Sequence, residues 1–156
     1  MITKFNWTSV VDTFWRIQIV AIFRLLSFSP SVPPNDVWAY FDAEFDSTGT
    51  LKRAIFPFHK KPTAITSLLK KLVDSLMSLS FTDTRKIYIG GLSQGGMGVF
   101  DMVARYPDIF AAAFPICGAG KSSTADRFAK QTAVWIFHGA DDDVVPVLFC
   151  VNFIKD

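Results

Sequence analysis

The strongest constraint in this chain is a five-residue stretch, Gly91-Leu92-Ser93-Gln94-Gly95, set between two different hydrophobic periods. Ahead of it, Lys86-Ile87-Tyr88-Ile89 is short and β-rich and runs into Gly90 and Gly91, which predicts a strand. Behind it, Met97, Phe100 and Ala104 fall on one side of a segment that Pro107 stops, which predicts a helix. A bare Gly-x-Ser-x-Gly match occurs by chance. Between a strand and a helix it describes a tight turn that pushes the serine oxygen out of a sheet edge. A serine hydroxyl is a weak nucleophile, so it must be exposed, held rigidly and placed beside a base. Such a turn crowds its neighbours, which accounts for glycine at positions 91 and 95, and Gly96 extends the room. The following helix would aim its positive end at the site and favour a developing oxyanion. The backbone N–H of Gln94 is the expected donor. The bland alternative is a glycine-rich turn with no chemistry. The glycines fit neither G-x-G-x-x-G nor a P-loop, which disfavours nucleotide binding.

The rest of the chain supplies a framework. Ile65, Leu68, Leu69, Leu72, Leu76 and Met77 recur at three- and four-residue spacing after Pro62, predicting an amphipathic helix to about Leu79. Residues 112–117 are a compact apolar run, a predicted buried strand ending at Gly118. Residues 125–130 suit a short helix capped by Ser123 or Thr124. Ala133-Val134-Trp135-Ile136-Phe137 reads as a third strand, and Pro146 opens a last helix. Short apolar strands alternating with helices imply an α/β fold, a mostly parallel sheet with helices on both faces. Sites in such sheets form at the carboxyl ends of the strands. The Ser93 turn, Cys117-Gly118 and the Asp141-Asp142-Asp143 loop all follow strand ends and share one edge.

Before Pro62 the reading is poorer. Residues 10–28 are rich in apolar side chains, but Asp12, Arg16 and Arg24 interrupt them. A membrane span needs about 20 mostly apolar residues, so none is expected here, and no Ala-x-Ala-like cleavage site follows. A buried strand or a degraded segment is the expectation. Pro30, Pro33 and Pro34 mark a loop, and Asp46-Ser47-Thr48-Gly49-Thr50 a turn; the aromatic stretch between them, residues 37–45, has no assignment.

Composition narrows the function. The formal net charge of +2 and the lack of any Lys/Arg block argue against a nucleic-acid surface. Lys60-Lys61 and Lys70-Lys71 read as solvated faces. Two cysteines, Cys117 and Cys150, are too few for a disulfide framework and read as small buried hydrophobes. No spacing suggests a metal site, and no cofactor is expected. Nothing in the composition fixes a compartment.

Nucleophilic catalysis by Ser93 would need a base and a carboxylate to orient it. His138-Gly139-Ala140-Asp141-Asp142-Asp143-Val144-Val145-Pro146 supplies three carboxylates after the last strand. With this stretch, the Gly-Leu-Ser-Gln-Gly-Gly-Met-Gly run and Phe114-Pro115-Ile116-Cys117-Gly118, the chain resembles the phospholipase/carboxylesterase, dienelactone-hydrolase-like branch of the α/β-hydrolases. The likeness covers about residues 30 to 150 and is faint before Pro62. It implies a partial α/β-hydrolase fold, an ester substrate, Ser93 as nucleophile, the Gln94 N–H as oxyanion donor and Asp142 as the acid. Asp141 and Asp143 are then loop charges.

Two parts that the resemblance implies are not found. Nothing in residues 1–35 matches the upstream His-Gly loop that would add a second oxyanion donor. The family's histidine follows the aspartate, and no histidine follows Asp142 here. His138 sits where the family has a structural His-Gly, so a supporting role is expected, and His59 reads as a surface residue. The chain is therefore expected to be a hydrolase core over residues 36–156, short at both ends, behind a divergent segment over residues 1–35. Its open sheet edges would invite self-association. Three functions compete: a serine hydrolase of small carboxylic esters, a catalytically inactive fragment or binding module, and a peptidase of the same fold.

Overall fold

A computed structural model describes residues 17–21, 26–48 and 51–155. The strand β5 (Ile87–Leu92) lies at the centre of a five-stranded sheet with order β2-β1-β5-β6-β7. On one side it pairs in parallel with β6 (Ala112–Ile116), which pairs in parallel with β7 (Ala133–Val134). On the other side it pairs antiparallel with β1 (Ile17–Ala21), and β1 pairs antiparallel with β2 (Leu26–Phe28). The parallel half is thus the half that the strand–helix alternation predicts. β1 belongs to the apolar stretch read as a buried strand; Ile17 and Ile19 are fully buried on β5. The part of that stretch before Ile17 lies outside the described residues.

The helix α1 (Ala64–Met77) begins two residues after Pro62, because Thr63 takes the cap. Its hydroxyl oxygen accepts from Thr66 N–H at 3.0 Å and donates to the carbonyl of Trp38. That second bond fastens the helix start to the preceding loop. Leu69, Val73 and Leu76 are buried, as the spacing predicts. The helix α2 (Gln94–Arg105) packs on β5, β6 and β1 through Val99, Met102 and Val103, all fully buried. On α2, Asp101 and Arg105 form a buried two-pronged ion pair at 2.6 and 3.0 Å, and Arg105 also donates to the carbonyl of His59.

Three local expectations change. The short helix is a 3-10 turn over Ser122–Arg127, and neither Ser123 nor Thr124 caps it. Thr124 lies inside it and donates both N–H and hydroxyl to the carbonyl of Lys121, a tighter local bond than a cap would give. The third strand is regular only over Ala133–Val134. Its ladder nevertheless continues through Trp135 N–H to Ala113 and Phe137 N–H to Pro115. The unassigned aromatic stretch ends in a hairpin. There β3 (Asp42–Phe45) pairs antiparallel with β4 (Leu51–Ile55) around the expected turn, where Asp46 accepts from both the N–H and the hydroxyl of Thr48. The last helix, α3 (Leu148–Lys155), starts just after Pro146, and Phe153 stacks on Phe100 of α2 at 4.1 Å.

Candidate active site

Ser93 stands between β5 and α2 with φ 54° and ψ −116°, a backbone conformation that a non-glycine residue adopts only when its surroundings force it. Its N–H donates to Ile116 at the end of β6, 2.8 Å away, and its carbonyl accepts from Met97 in the first turn of α2. The turn is held from both sides. Space is the other requirement. A Cβ on Gly91 would meet the backbone of Gly95 at 2.4 Å, so α2 can leave the strand at this angle only over glycine. A Cβ on Gly96 would stand 2.9 Å from Gly118 Cα, so the helix start and the end of β6 touch backbone to backbone. The sequence points to Gly91, Gly95 and Gly96 as small residues; Gly118 as the partner of Gly96 is visible only in three dimensions.

Gln94 is the first residue of α2, so its N–H has no intrahelical acceptor and is free to serve an anion. Its side chain is buried, and Oε1 has no partner among the described residues. Asp142 sits in the loop after β7. Its Oδ1 accepts from the N–H groups of Val144 and Val145 at 3.0 and 2.8 Å, and Oδ2 is 3.4 Å from His138 Nε2. Cys117 ends β6 with φ 39°. Burial and then the charge of Asp142 push its thiol up from the usual range, while a hydrogen bond from the Ser93 backbone acts the other way. Ser93, Cys117 and Asp142 therefore meet at the carboxyl edge of the parallel strands.

His138 has a side chain only 3% exposed, with both ring nitrogens engaged. Nε2 lies 2.6 Å from the carbonyl of Val145 and Nδ1 2.9 Å from Cys150 Sγ. A carbonyl oxygen only accepts, so Nε2 carries a proton, and the remaining nitrogen faces a buried thiol. This is a histidine that holds a loop. His59 is exposed, packs edge-on against Tyr40 at 4.8 Å and is not among the residues that line the cavity beside Ser93.

Beside Ser93 and Gln94 opens a cavity of about 230 Å³. One wall is the hairpin, through Phe41, Ala43, Phe45 and Ala54; another is Phe56 and Phe149, edge to face at 5.1 Å, with Val144 at the mouth. Apart from Ser93 and Gln94, every lining residue is apolar. The sequence reading missed this wall. Its signal was present: Phe41, Ala43 and Phe45 alternate at period two ahead of a turn cluster, a half-buried strand pattern.

The model of the Phospholipase/Carboxylesterase family matches residues 45–155. A poly(3-hydroxyalkanoate) depolymerase C from Paucimonas lemoignei is 40% identical over 50 residues, covering 32% of this chain and 12% of the depolymerase. Among solved structures, a thermostable esterase superposes with a TM-score of 0.65 at 31% identity, over 81% of this chain and 30% of the esterase. A variant of Arabidopsis thaliana SOBER1 superposes with a TM-score of 0.52 at 25% identity, over 64% of this chain and 52% of SOBER1. The matched stretches thus span 12% of the depolymerase, 30% of the esterase and 52% of SOBER1.

Proposed function

The chain belongs to the phospholipase/carboxylesterase family of α/β-hydrolases, and from that membership we propose that it is a serine hydrolase site for carboxylic esters with an apolar acyl group. The observation that carries this is the opening of the Ser93 turn into an apolar cavity of about 230 Å³. Ser93 Oγ attacks the acyl carbonyl, and the Gln94 N–H receives the oxyanion. The alcohol leaves, and water then releases the acid from the acyl-enzyme. Asp142, whose carboxylate is already held by two N–H groups, would orient a histidine that residues 1–156 do not supply, which takes the proton from Ser93 Oγ and passes it to the leaving alcohol. The site itself is built from residues 36–156, and from the leading segment β1 and β2 extend the sheet beside β5. Away from Ser93 and Gln94 the cavity wall is apolar, which favours an acyl ester over a peptide, whose backbone would bring polar groups into it.

One observation favours a second reading for these residues on their own. Both nitrogens of His138 are used, and the ring of His59 packs on Tyr40 outside the lining of the Ser93 cavity, so neither serves as the base. Losing the base of such a triad costs about a millionfold in turnover. Residues 1–156 alone are then an acyl-binding core with little turnover.

A fluorophosphonate probe and a short-chain aryl ester separate the readings, with Ser93→Ala as control. Labelling and turnover that vanish in S93A support the hydrolase. A folded protein that neither labels nor turns over supports the acyl-binding core lacking its base, because phosphonylation of a serine hydroxyl needs the same base. Labelling that persists in S93A would sink the assignment of Ser93 as nucleophile.

A further inference from the structure

The loop that carries Asp142 is tied to α3 and to the end of β6 through one buried thiol. Cys150, in the first turn of α3, is 2% exposed. Its Sγ lies 3.0 Å from the carbonyl oxygen of Gly118 and 2.9 Å from His138 Nδ1. On the far side of the ring, Nε2 reaches the Val145 carbonyl at 2.6 Å, with Asp142 Oδ2 3.4 Å away. The N–H of Val145 then donates to Asp142 Oδ1 at 2.8 Å. An unbroken chain of polar contacts runs from Gly118 through Cys150, His138 and Val145 to Asp142. Gly118 is the residue packed against Gly96 at the head of α2. The chain therefore joins the Ser93 helix to the acid's loop.

We propose that Cys150 is a positioning residue for Asp142, holding the carboxylate's loop in register with the Ser93 turn through His138. The thiol has one proton and two neighbours. With the S–H directed at the Gly118 carbonyl, Nδ1–H donates to sulfur; with it directed at Nδ1, that nitrogen accepts. The ring is pinned at both nitrogens either way, and only a group that both donates and accepts at this point allows both arrangements. Burial, then the charges of Cys117 and Asp142, push the Cys150 thiol up to about 11, so it remains a donor near neutrality. A purely apolar residue would fill the same space and leave Nδ1 and the Gly118 carbonyl buried without this partner, which costs more than the bond itself contributes.

This inference rests on Asp142 being the acid, but its test reads the loop and not turnover, so the two fail separately. Hydrogen exchange at the Val144 and Val145 amides and the ring-nitrogen resonances of His138 are compared in the wild type, Cys150→Val and Cys150→Ser. In C150V both amides should exchange about five- to tenfold faster, the cost of roughly one lost hydrogen bond. The Nδ1 resonance should move as well. Val99 and Val103 in α2 should keep their protection. C150S, which retains donor and acceptor, should lie near the wild type. Unchanged exchange and resonances in C150V would overturn the proposal. Equal loss of protection at Val99 and Val103 would also overturn it, since Cys150 would then be packing alone, as would a C150S that behaves like C150V. Should C150V fail to fold, Cys150→Ala is read by the same criteria.

Discussion

At the scale of the residue, the site depends on backbone touching backbone. Ser93 was legible in the sequence because its turn needs glycines at fixed spacing and a change of hydrophobic period across it. For the acid, the residues alone offer Asp141, Asp142 and Asp143, and only the family resemblance singles out Asp142. The contact of Gly96 with Gly118 was not legible, since 22 positions separate two glycines that only the sheet brings together. That contact makes a sharp prediction. A Cβ on Gly118 would fall 2.6 Å from the carbonyl carbon of Gly96, where the obstacle is main chain and cannot swing aside. Gly118→Ala should lower stability by about 1–3 kcal/mol, the usual cost of overpacking, read as a reduced urea midpoint. It should also slow fluorophosphonate labelling of Ser93 by displacing the start of α2. Gly139→Ala is the control, because its Cβ would meet only Asp142 Cβ, at an ordinary 4.0 Å. A G118A protein as stable as G139A would mean the two turns do not bear on each other.

At the scale of the element, α1, β5, α2 and β6 follow from the sequence to within a residue or two, because each carries many repeats of its own period. The hairpin did not follow. β3 has four residues and β4 five, and their inward positions are filled by alanine as much as by phenylalanine, so the apolar alternation is diluted. Those alanines shape the cavity. Ala43 and Ala54 stand directly opposite each other in the ladder, and both line the space beside Ser93. An engineered apolar cavity of about 150 Å³ holds benzene, so about 230 Å³ takes a phenyl ring with a short linker or a comparable alkyl chain. Binding of simple carboxylic acids tests this without needing turnover. 3-Phenylpropanoate should bind well above acetate in the wild type. Ala54→Leu should weaken 3-phenylpropanoate about tenfold, roughly the one to two kcal/mol of a filled site, and leave acetate unchanged by calorimetry. Equal affinities for 3-phenylpropanoate in A54L and wild type would remove the hairpin from the acyl site.

At the scale of the whole molecule, the two faces of the sheet differ. A Cβ on Gly91 would strike α2, whereas one on Gly90 would strike the ring of Phe114, so α2 covers the Gly91 face and Phe114 belongs to the other. Following the parallel register, Phe114 and Ile116 share that second face with Trp135 and Phe137. Trp135 is 72% exposed and Phe137 41% exposed, their rings 4.8 Å apart, next to the outer edge of β7. Contiguous exposed aromatics beside a strand edge that is unpaired among the described residues are a surface that burial would stabilise. The sequence could not show this, because Trp135 and Phe137 carry the apolar signature of a strand covered on both sides. Two copies meeting through this face would bury both aromatics and cap the β7 edge. Sedimentation should therefore show association that grows with protein concentration, and Trp135→Glu should shift it toward the monomer by placing a charge where the rings would meet. The Ser93 edge lies at the strand ends and not on this face, so W135E should label with the fluorophosphonate at the wild-type rate. A wild type that remains monomeric throughout its soluble range, or a W135E variant that associates equally well, would show that this aromatic face does not pair copies of the chain.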